Sequence, residues 1–274
     1  MKKILLTGAA GSLGSRLRAP LAAMADQLLS TDILELDAEL APNETFQMAD
    51  IFNRDAVRAM AEGAEMIVHF GGSPDERPFD TILHNNIVPA FNIWDAAAEH
   101  GVRRVIFASS IHAVGMHPKT ETITAATSHR PDGFYGLSKC FTEDMARMYW
   151  DKKGVESVCL RILSCTEPVS NARAIGSWLS YRDMIHLVER SITTPITGFL
   201  VAYGVSNNDR APIDNIAAAV LGFRPQDNAE VFAEQIFAEM PTPDATDLGQ
   251  MAHGGPFATT DLGVSGVSAL KAMK

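Results

Sequence analysis

Two side chains, four positions apart, have the types that proton abstraction requires. Tyr135 and Lys139 are separated by one helical turn, so a phenol and an ammonium share a helix face. Tyrosine, with an ordinary pKa of about 10, is a poor base at neutral pH, and a nearby cation favours its phenolate. Ser110 ends an apolar run upstream and offers a hydroxyl to the same site. Taken alone, this tyrosine and lysine are better explained as a surface pair, so the prediction of a catalytic group depends on its surroundings.

A glycine-rich segment directly follows the first apolar run and opens a helical stretch. Its spacing is GxxGxxG, which places a tight turn at a helix N-terminus. There, free backbone N–H groups and the positive end of the helix dipole can hold a pyrophosphate. An ordinary strand-to-helix turn is the alternative explanation. The candidate cofactor contacts in this loop are Gly8, Ala10, Gly11, Ser12, Leu13 and Gly14.

An acidic residue ends the second apolar run and favours the functional interpretation of the loop. Asp32 stands where a carboxylate accepts hydrogen bonds from adenosine ribose hydroxyls. The same charge would repel a 2'-phosphate and no arginine stands immediately beside it, so the sequence predicts NAD rather than NADP. Further cofactor candidates follow the third and fourth runs, where small or acidic residues stand at the predicted ligand-binding edge: Asp50, Ile51, Gly71, Gly72 and Ser73.

Strand-like and helix-like segments alternate through the first part of the chain. Six short apolar runs, at residues 3–7, 27–31, 45–48, 66–70, 104–108 and 157–162, are predicted strands. Amphipathic stretches between them, including 55–61, 79–99 and 135–152, are predicted helices. Beyond residue 165 the alternation fades, with helical stretches at 181–192 and 229–238. The pattern predicts an α/β fold with a doubly wound parallel sheet in residues 1–165, and a short substrate-binding or lid region in 166–274 packed on it.

Composition excludes several classes of partner. The formal net charge of -10 disfavours nucleic acid and anionic lipid, because both attract surplus Lys and Arg. No apolar stretch approaches the roughly 20 residues of a membrane span, and the run after Lys3 ends too early for a secretory signal. We therefore expect a cytoplasmic protein. Cys140, Cys159 and Cys165 show no CxxC spacing, so neither a disulfide framework nor a metal site is predicted.

In its glycine loop, Asp32, the FASS strand end and the Tyr135–Lys139 pair, the sequence resembles the extended short-chain dehydrogenase family. The resemblance implies a Rossmann-type sheet and an NAD-dependent oxidoreductase, with homo-oligomers by analogy. Tyr135 would take a proton from a substrate hydroxyl, Ser110 would hydrogen-bond the same oxygen, and Lys139 would hold the nicotinamide ribose and lower the tyrosine pKa. Asn86 matches a position where the family commonly has asparagine near the active site, although a solvent-facing helix residue explains it comparably well.

A closer resemblance is to bacterial uronate dehydrogenases, which oxidise the C1 hydroxyl of galacturonate or glucuronate to an aldarolactone. It rests on the stretches TGAAGSLG, FASS with His112, RPDGFYGLSKCFTEDMARMYW, RILSC and GGPF. The resemblance implies that Arg173 binds the sugar carboxylate bidentately, although a surface arginine in a polar loop is the competing interpretation. It also implies that further residues line the sugar site: Ser73, Ser110, Ile111, His112, Ser164 and Phe257.

Two departures from that pattern leave the substrate open. Ile111 stands where uronate dehydrogenases typically carry an asparagine, and residues 210–213 replace a tryptophan-containing stretch. Another aldose, sugar acid or polyol is therefore an alternative substrate. An NAD-retaining epimerase or dehydratase is a second alternative, although no acid follows Ser110 as it commonly does in dehydratases. A noncatalytic dinucleotide-sensing module is a third, but such proteins usually lose the tyrosine or the lysine.

Overall fold

Seven parallel strands build the central sheet of the computed structural model, which describes residues 1–167, 169, 171–239, 244 and 246–268. The spatial order is β3-β2-β1-β4-β5-β6-β7. The strands are β1 (Lys3–Thr7), β2 (Gln27–Asp32), β3 (Glu44–Met48), β4 (Met66–His69), β5 (Arg104–Ser110), β6 (Glu156–Ile162) and β7 (Phe199–Gly204). All neighbouring strands pair in parallel, so their carboxyl ends lie at one edge of the sheet.

Helices connect the strands and cover both faces of the sheet. Within the described residues they are α1 (Gly14–Met24), α2 (Arg54–Ala61), α3 (Phe79–Ile82), α4 (Val88–His100), α5 (Phe134–Lys153), α6 (Ala172–Ser177), α7 (Tyr181–Thr193), α8 (Ala233–Glu239) and α9 (Leu248–Met251). A π-helical turn, Leu83–Ile87, joins α3 to α4. Short 3-10 turns cover Ile111–Val114, Ile216–Leu221, Ala229–Phe232 and Gly255–Ala258.

Alternation along each strand divides the apolar residues between two cores. Leu6 and Val68 belong to the core on the α1 and α7 side of the sheet, whereas Leu5 and Ile67 belong to the core on the α2, α4 and α5 side. Because helices cover both faces, consecutive strand residues are buried and the strands are continuously apolar in sequence. This explains why short apolar runs predict six of the seven strands.

The structure corrects the predicted elements in three places. The sheet has a seventh strand, β7, which lies beyond residue 165, so the sheet extends past the predicted domain boundary. The predicted helix at 79–99 is helical throughout but contains the π-helical turn and continues to His100. The predicted helix at 229–238 begins as the 3-10 turn Ala229–Phe232 and becomes α8 only at Ala233.

A buried ionic network fixes α5 against the sheet. Arg161 of β6 donates to Glu143 of α5 at 2.8 Å, and Ser109 of β5 and His129 bind the same carboxylate. Burial opposes ionisation, but hydrogen bonds from His129 and Arg161 hold the pKa of Glu143 below its ordinary value. The network therefore sets how α5 lies across β5 and β6.

The carboxyl edge brings the candidate residues together. Asp32 is the last residue of β2, and Ser110 is the last residue of β5. Between β1 and β4 the chain order reverses, and open α/β sheets bind ligands in the crevice at such a reversal. Across the described part of the chain, no helix is long and apolar enough to cross a membrane.

Candidate active site

Gly8 lets the first loop pass directly over the end of β4. Its φ is +76°, a conformation that disfavours other residues, and an added Cβ would lie 2.6 Å from the carbonyl carbon of Phe70. Gly14 is similarly constrained, since its Cβ would lie 2.0 Å from the Gly8 carbonyl oxygen. The two glycines therefore allow α1 to begin immediately beside the carboxyl ends of β1 and β4.

Asp32 is fixed by the same loop. Its Oδ2 accepts a hydrogen bond from the Ala10 N–H at 2.9 Å, and its Oδ1 accepts from the Leu34 N–H at 3.1 Å. Both bonds hold the carboxylate at the mouth of the crevice, half-buried, where it retains capacity to accept hydrogen bonds. This placement suits recognition of ribose hydroxyls.

The crevice beside these residues has the lining that a dinucleotide requires. It is a cavity of about 290 Å³, and it collects residues that follow β1, β2, β3 and β4. The backbone N–H groups of Ser12 and Leu13, at the start of α1, have no acceptor among the described residues, so they can bind an anion. The residues present therefore fit NAD. The predicted cofactor residues that line the cavity are Gly8, Gly11, Asp32, Asp50, Ile51, Gly71, Gly72 and Ser73.

Two side chains on neighbouring strands support the backbone at Gly71. The Gly71 N–H donates to the Thr7 hydroxyl at 3.1 Å, and that hydroxyl lies 2.8 Å from Nδ1 of His69. Burial, with the nearby charge of Lys139, lowers the pKa of His69 to about 3. The imidazole is therefore neutral, so its Nδ1 can accept the Thr7 proton.

Ser73 is held by two consecutive asparagines of the π-helical turn. Asn85 donates to the Ser73 hydroxyl at 3.0 Å, while Asn86 accepts from the Ser73 N–H at 2.9 Å and donates to its carbonyl at 3.0 Å. Asn86 also donates to the Ser138 hydroxyl on α5. It is buried, which excludes the solvent-facing alternative. Because its amide is already engaged, Asn86 fixes the backbone of Ser73 and presents no free donor.

Tyr135, Ser110 and Lys139 converge as the sequence predicts. Ser110 lies close enough to Tyr135 to favour its phenolate, and the Lys139 ammonium lies 5.2 Å from the centre of the tyrosine ring. Burial nevertheless raises the pKa of Tyr135 to about 12, with Ser110 opposing the rise. The expected lowering of this pKa below its ordinary value is thus not found for the protein alone, because the cost of burying the phenolate dominates.

Lys139 is itself a buried cation. Its ammonium donates to the Ala108 carbonyl at 2.8 Å and lies 4.7 Å from the centre of the Phe107 ring. Burial lowers its pKa to about 8, and the charge of Glu143 opposes that change. No carboxylate lies within ion-pair distance of it among the described residues. Its charge is therefore available to the tyrosine and to a ligand.

His112 lies beside Tyr135 and forms part of the wall of the candidate site. Its Nδ1 lies 2.7 Å from the buried carboxylate of Asp132, and its ring packs on Phe257 with centroids 3.9 Å apart. The same imidazole meets Tyr135 edge-on at 5.6 Å. Asp132 fits only because Gly115 and Gly254 lack side chains, since a Cβ at either would overlap its carboxylate. The predicted residues His112 and Phe257 therefore lie against Tyr135.

Arg173 lies on α6 and reaches the segment that precedes Phe257. Its Nη1 donates to Ser164 at 2.9 Å and its Nη2 donates to the His253 carbonyl at 3.0 Å, while its Nε is buried without a partner. Burial lowers its pKa, and the charge of Asp132 opposes that change. A surface arginine is thus excluded. The predicted residues Arg173 and Ser164 are in contact, and no acidic side chain within the described ranges forms an ion pair with this guanidinium.

Ile111 does not join the site through its side chain. It is buried in an apolar cluster with Val114, Ile123, Tyr203 and Val205. The interpretation that an apolar side chain here replaces a substrate-contacting amide is therefore corrected, since the isoleucine side chain packs into the core behind the pocket wall.

Several functional positions were not predicted from sequence. Asn85 is one, and its position beside Asn86 was the only signal. The other residues act on the site through backbone groups or buried side chains, which single residue types do not reveal: Thr7, His69, Asp75, Glu76, Asp132 and His253.

Comparisons with known proteins agree with this geometry. The model of the family described as "NAD dependent epimerase/dehydratase family" matches residues 4–174. A uronate dehydrogenase of Pseudomonas syringae pv. tomato is 43% identical over 258 residues, covering 94% of each chain. One from Agrobacterium fabrum is 43% identical, covering 94% of this chain and 97% of its own. The crystal structure of a mutant uronate dehydrogenase from Agrobacterium tumefaciens complexed with NAD is 42% identical, with a TM-score of 0.90 over 96% of this chain and 98% of that one.

Asp32→Asn should weaken the preference for NADH over NADPH. The substitution preserves size but removes the charge that accepts ribose hydrogen bonds and repels a 2'-phosphate. A hydrogen bond to a charged group contributes about 1.5–3 kcal/mol, so we expect NADH affinity to fall roughly tenfold or more. NADPH affinity should fall less or rise, as measured by fluorescence titration. The exposed Asp55→Asn is the charge-matched control, and an unchanged NADH/NADPH ratio in Asp32→Asn would contradict the assignment.

Proposed function

This chain belongs to the NAD dependent epimerase/dehydratase family, and we propose that it oxidises the C1 hydroxyl of a free uronate to an aldarolactone. The observation that carries the uronate assignment is Arg173. Its side chain is half-buried, with Nε buried and unpartnered and with no acidic partner among the described residues, beside the wall that holds Tyr135. Leaving a charge uncompensated in a buried site is costly, and a substrate carboxylate would compensate it.

One stretch of backbone joins the arginine to the catalytic side chains. A Cβ on Gly255 would lie 2.6 Å from Nε of Arg173, while a Cβ on Gly254 would overlap Asp132, the partner of His112. Phe257 follows and packs on His112. We therefore place the sugar carboxylate at Arg173 and Ser164, and the sugar ring beside His112, Phe257 and Ser73.

The chemistry at C1 needs one proton acceptor and one hydride acceptor. Tyr135 accepts the proton of the C1 hydroxyl, and Ser110 hydrogen-bonds the same oxygen as it becomes a carbonyl. NAD, when bound, supplies the acceptor for the hydride from C1 and places a cationic ring in the site. Lys139 adds a second positive charge beside the phenol, and together the two charges oppose the burial that raises the pKa of Tyr135.

A cytoplasmic setting is part of the proposal. Cys140, Cys159 and Cys165 are all free thiols, as reducing compartments favour. Burial raises the pKa of Cys140 to about 12 and that of Cys165 to about 12, so these thiols are unreactive packing residues rather than candidate nucleophiles.

Arg173→Ala should remove the preference for acidic sugars. NADH formation would be followed by absorbance with galacturonate and glucuronate, and with galactose and glucose as matched sugars lacking the carboxylate. We expect KM for the uronates to rise about 10–100-fold, because a charge-assisted hydrogen bond is lost, with little change for neutral sugars. Arg182→Ala, an exposed arginine paired with Asp227, is the control.

Two results would contradict this assignment. Equal oxidation of uronates and neutral sugars by the wild-type protein would point to the aldose or polyol alternative. Sugar conversion without accumulation of NADH would point to an NAD-retaining epimerase or dehydratase.

Tyr135→Phe should abolish turnover while retaining NAD binding, because general base catalysis contributes about 100- to 10,000-fold. Lys139→Met keeps an unbranched side chain of nearly the same length and removes its charge, so the phenolate becomes less favourable and the tyrosine pKa rises. The rising limb of the kcat–pH profile should therefore move to higher pH. Lys152→Met, exposed at the far end of α5, should leave the profile unchanged. A profile unaffected by Lys139→Met would contradict the proposed role of the ammonium.

We also propose that two copies associate through α4 and α5. These adjacent helices expose four large apolar side chains, Phe91, Leu137, Phe141 and Met148, on the outside of the sheet. Exposed apolar faces of this kind are typical of protein interfaces, and a twofold axis would pair the face with itself. A homo-oligomer is thus the expected state.

Phe141→Asp should dissociate this assembly. Light scattering after size-exclusion chromatography should give an oligomer for the wild-type protein and a monomer for the variant, since a charge would be buried at the interface. Val231→Asp introduces the same charge at a side chain that is 79% exposed on a different face, and should leave the oligomer intact. A monomeric wild-type protein would contradict the proposal.

A further inference from the structure

The helix that carries Tyr135 has no cap of its own. Its N-cap residue, Gly133, has no side chain and forms no side-chain cap hydrogen bond. The first two helical residues are Phe134 and Tyr135, whose N–H groups cannot be satisfied within the helix. Both donate to Glu76, at 3.0 Å to Oε1 and 2.7 Å to Oε2. The cap of α5 is therefore a carboxylate from the distant loop after β4.

The glycine at the N-cap is required by that carboxylate. A Cβ on Gly133 would lie 2.6 Å from Oε2 of Glu76, closer than the two atoms can approach. Glu76 is only 3% exposed, so its charge is buried against the positive end of the α5 dipole. The glycine at position 133 thus leaves room at the first turn of α5 for the Glu76 side chain. Glu76 caps the helix in place of a side chain at the N-cap itself.

The same acidic loop holds the C-terminal segment of residues 263–267, which we call the strap. Oε1 of Glu76 also accepts from the Gly263 N–H at 2.9 Å. The neighbouring Asp75 accepts from the Ser265 hydroxyl and from the Val267 N–H at 3.1 Å. One pair of carboxylates therefore fastens the strap to the start of the helix that carries the tyrosine.

The strap in turn contacts the wall of the proposed sugar site. Gly266 lies flat against Phe257, because an added Cβ would lie 2.4 Å from the aromatic ring. Val267 packs against the cluster of Ile82, Tyr135 and Phe257. Displacement of the strap would therefore loosen both the tyrosine ring and the phenylalanine that packs on His112.

We infer that Glu76 is a positioning residue for Tyr135. It fixes the first turn of α5, and it couples that turn to the strap that covers the tyrosine and Phe257. This inference rests on the proposed function for the identity of the reaction, but not for the geometry. A neutral residue cannot replace it, because three backbone N–H groups converge on two carboxylate oxygens and a carboxamide has only one acceptor atom.

Glu76→Gln is the central test. In either orientation of the amide, an NH2 group would face at least one backbone N–H, so the first turn and the strap would shift. We expect kcat to fall at least about tenfold, the cost of one unsatisfied buried donor, with KM for NAD near its wild-type value. Hydrogen exchange followed by mass spectrometry should be faster both at residues 133–138 and at the strap.

Asn53→Ala is the matched control for a capping defect. Asn53 caps α2 by accepting from the Asp55 and Ala56 N–H groups, and α2 carries none of the proposed site residues. Loss of such a cap lowers the free energy of unfolding by about 1 kcal/mol, so the Tm of Asn53→Ala should fall while its kcat is unchanged. If Glu76→Gln behaves in the same way, with a lower Tm and an unchanged kcat, the positioning role is overturned and only a structural role remains.

Gly133→Ala applies the perturbation from the opposite side, and it keeps the inference testable if Glu76→Gln does not fold. Its added Cβ would displace the Glu76 carboxylate, so the same fall in kcat and the same faster exchange are expected. An unchanged kcat would overturn the inference.

The exchange measurement needs no substrate. A wild-type protein that fails to oxidise uronates would therefore refute the proposed function, whereas unchanged exchange at 133–138 and the strap in Glu76→Gln would refute the coupling.

Discussion

A buried ammonium is the constraint on which the site depends. Lys139 lies under the tyrosine ring, bound to a backbone carbonyl and facing an aromatic ring rather than a carboxylate. A partner carboxylate would neutralise it, so the nearest buried acid on α5, Glu143, is instead engaged by Arg161 and His129. The arrangement keeps a positive charge beside Tyr135, where burial opposes formation of a phenolate.

Three acidic residues near the pocket are occupied by donors from the protein, and Asp75 also binds the Ser265 hydroxyl and the Arg77 guanidinium. Glu76 and Asp75 bind N–H groups of α5 and the strap, and Asp132 binds His112. Their charges serve to hold loops in place, and hydrogen bonds from Ser265 and Val267 hold the pKa of Asp75 below its ordinary value against the effect of burial. Arg173 is therefore left without an acidic partner among the described residues, as a site for an anionic substrate requires.

Ile111 illustrates how a sequence departure can mislead. Because it follows Ser110 in the sequence, an apolar residue here suggests a pocket that has lost a polar contact. In the fold, the 3-10 turn after β5 directs this side chain toward Tyr203 and Val205, while the next residue, His112, faces Tyr135. The change alters packing behind the wall, because consecutive residues of a 3-10 turn point about 120° apart, and Ile111 shares its face with Val114 rather than with His112.

The sequence by itself determined the parallel sheet, the glycine loop, Asp32, and the convergence of Ser110, Tyr135 and Lys139, because these follow from local periodicity and from the single edge where parallel strands end. It did not reveal β7, although the helix before it was predicted, and so it did not show that the sheet continues beyond residue 165. Only the tertiary structure decided that Glu76 caps α5, that Asp132 orients His112, and that burial raises the pKa of Tyr135. Those outcomes depend on contacts between residues far apart in the chain and on the exclusion of water, which no local pattern encodes.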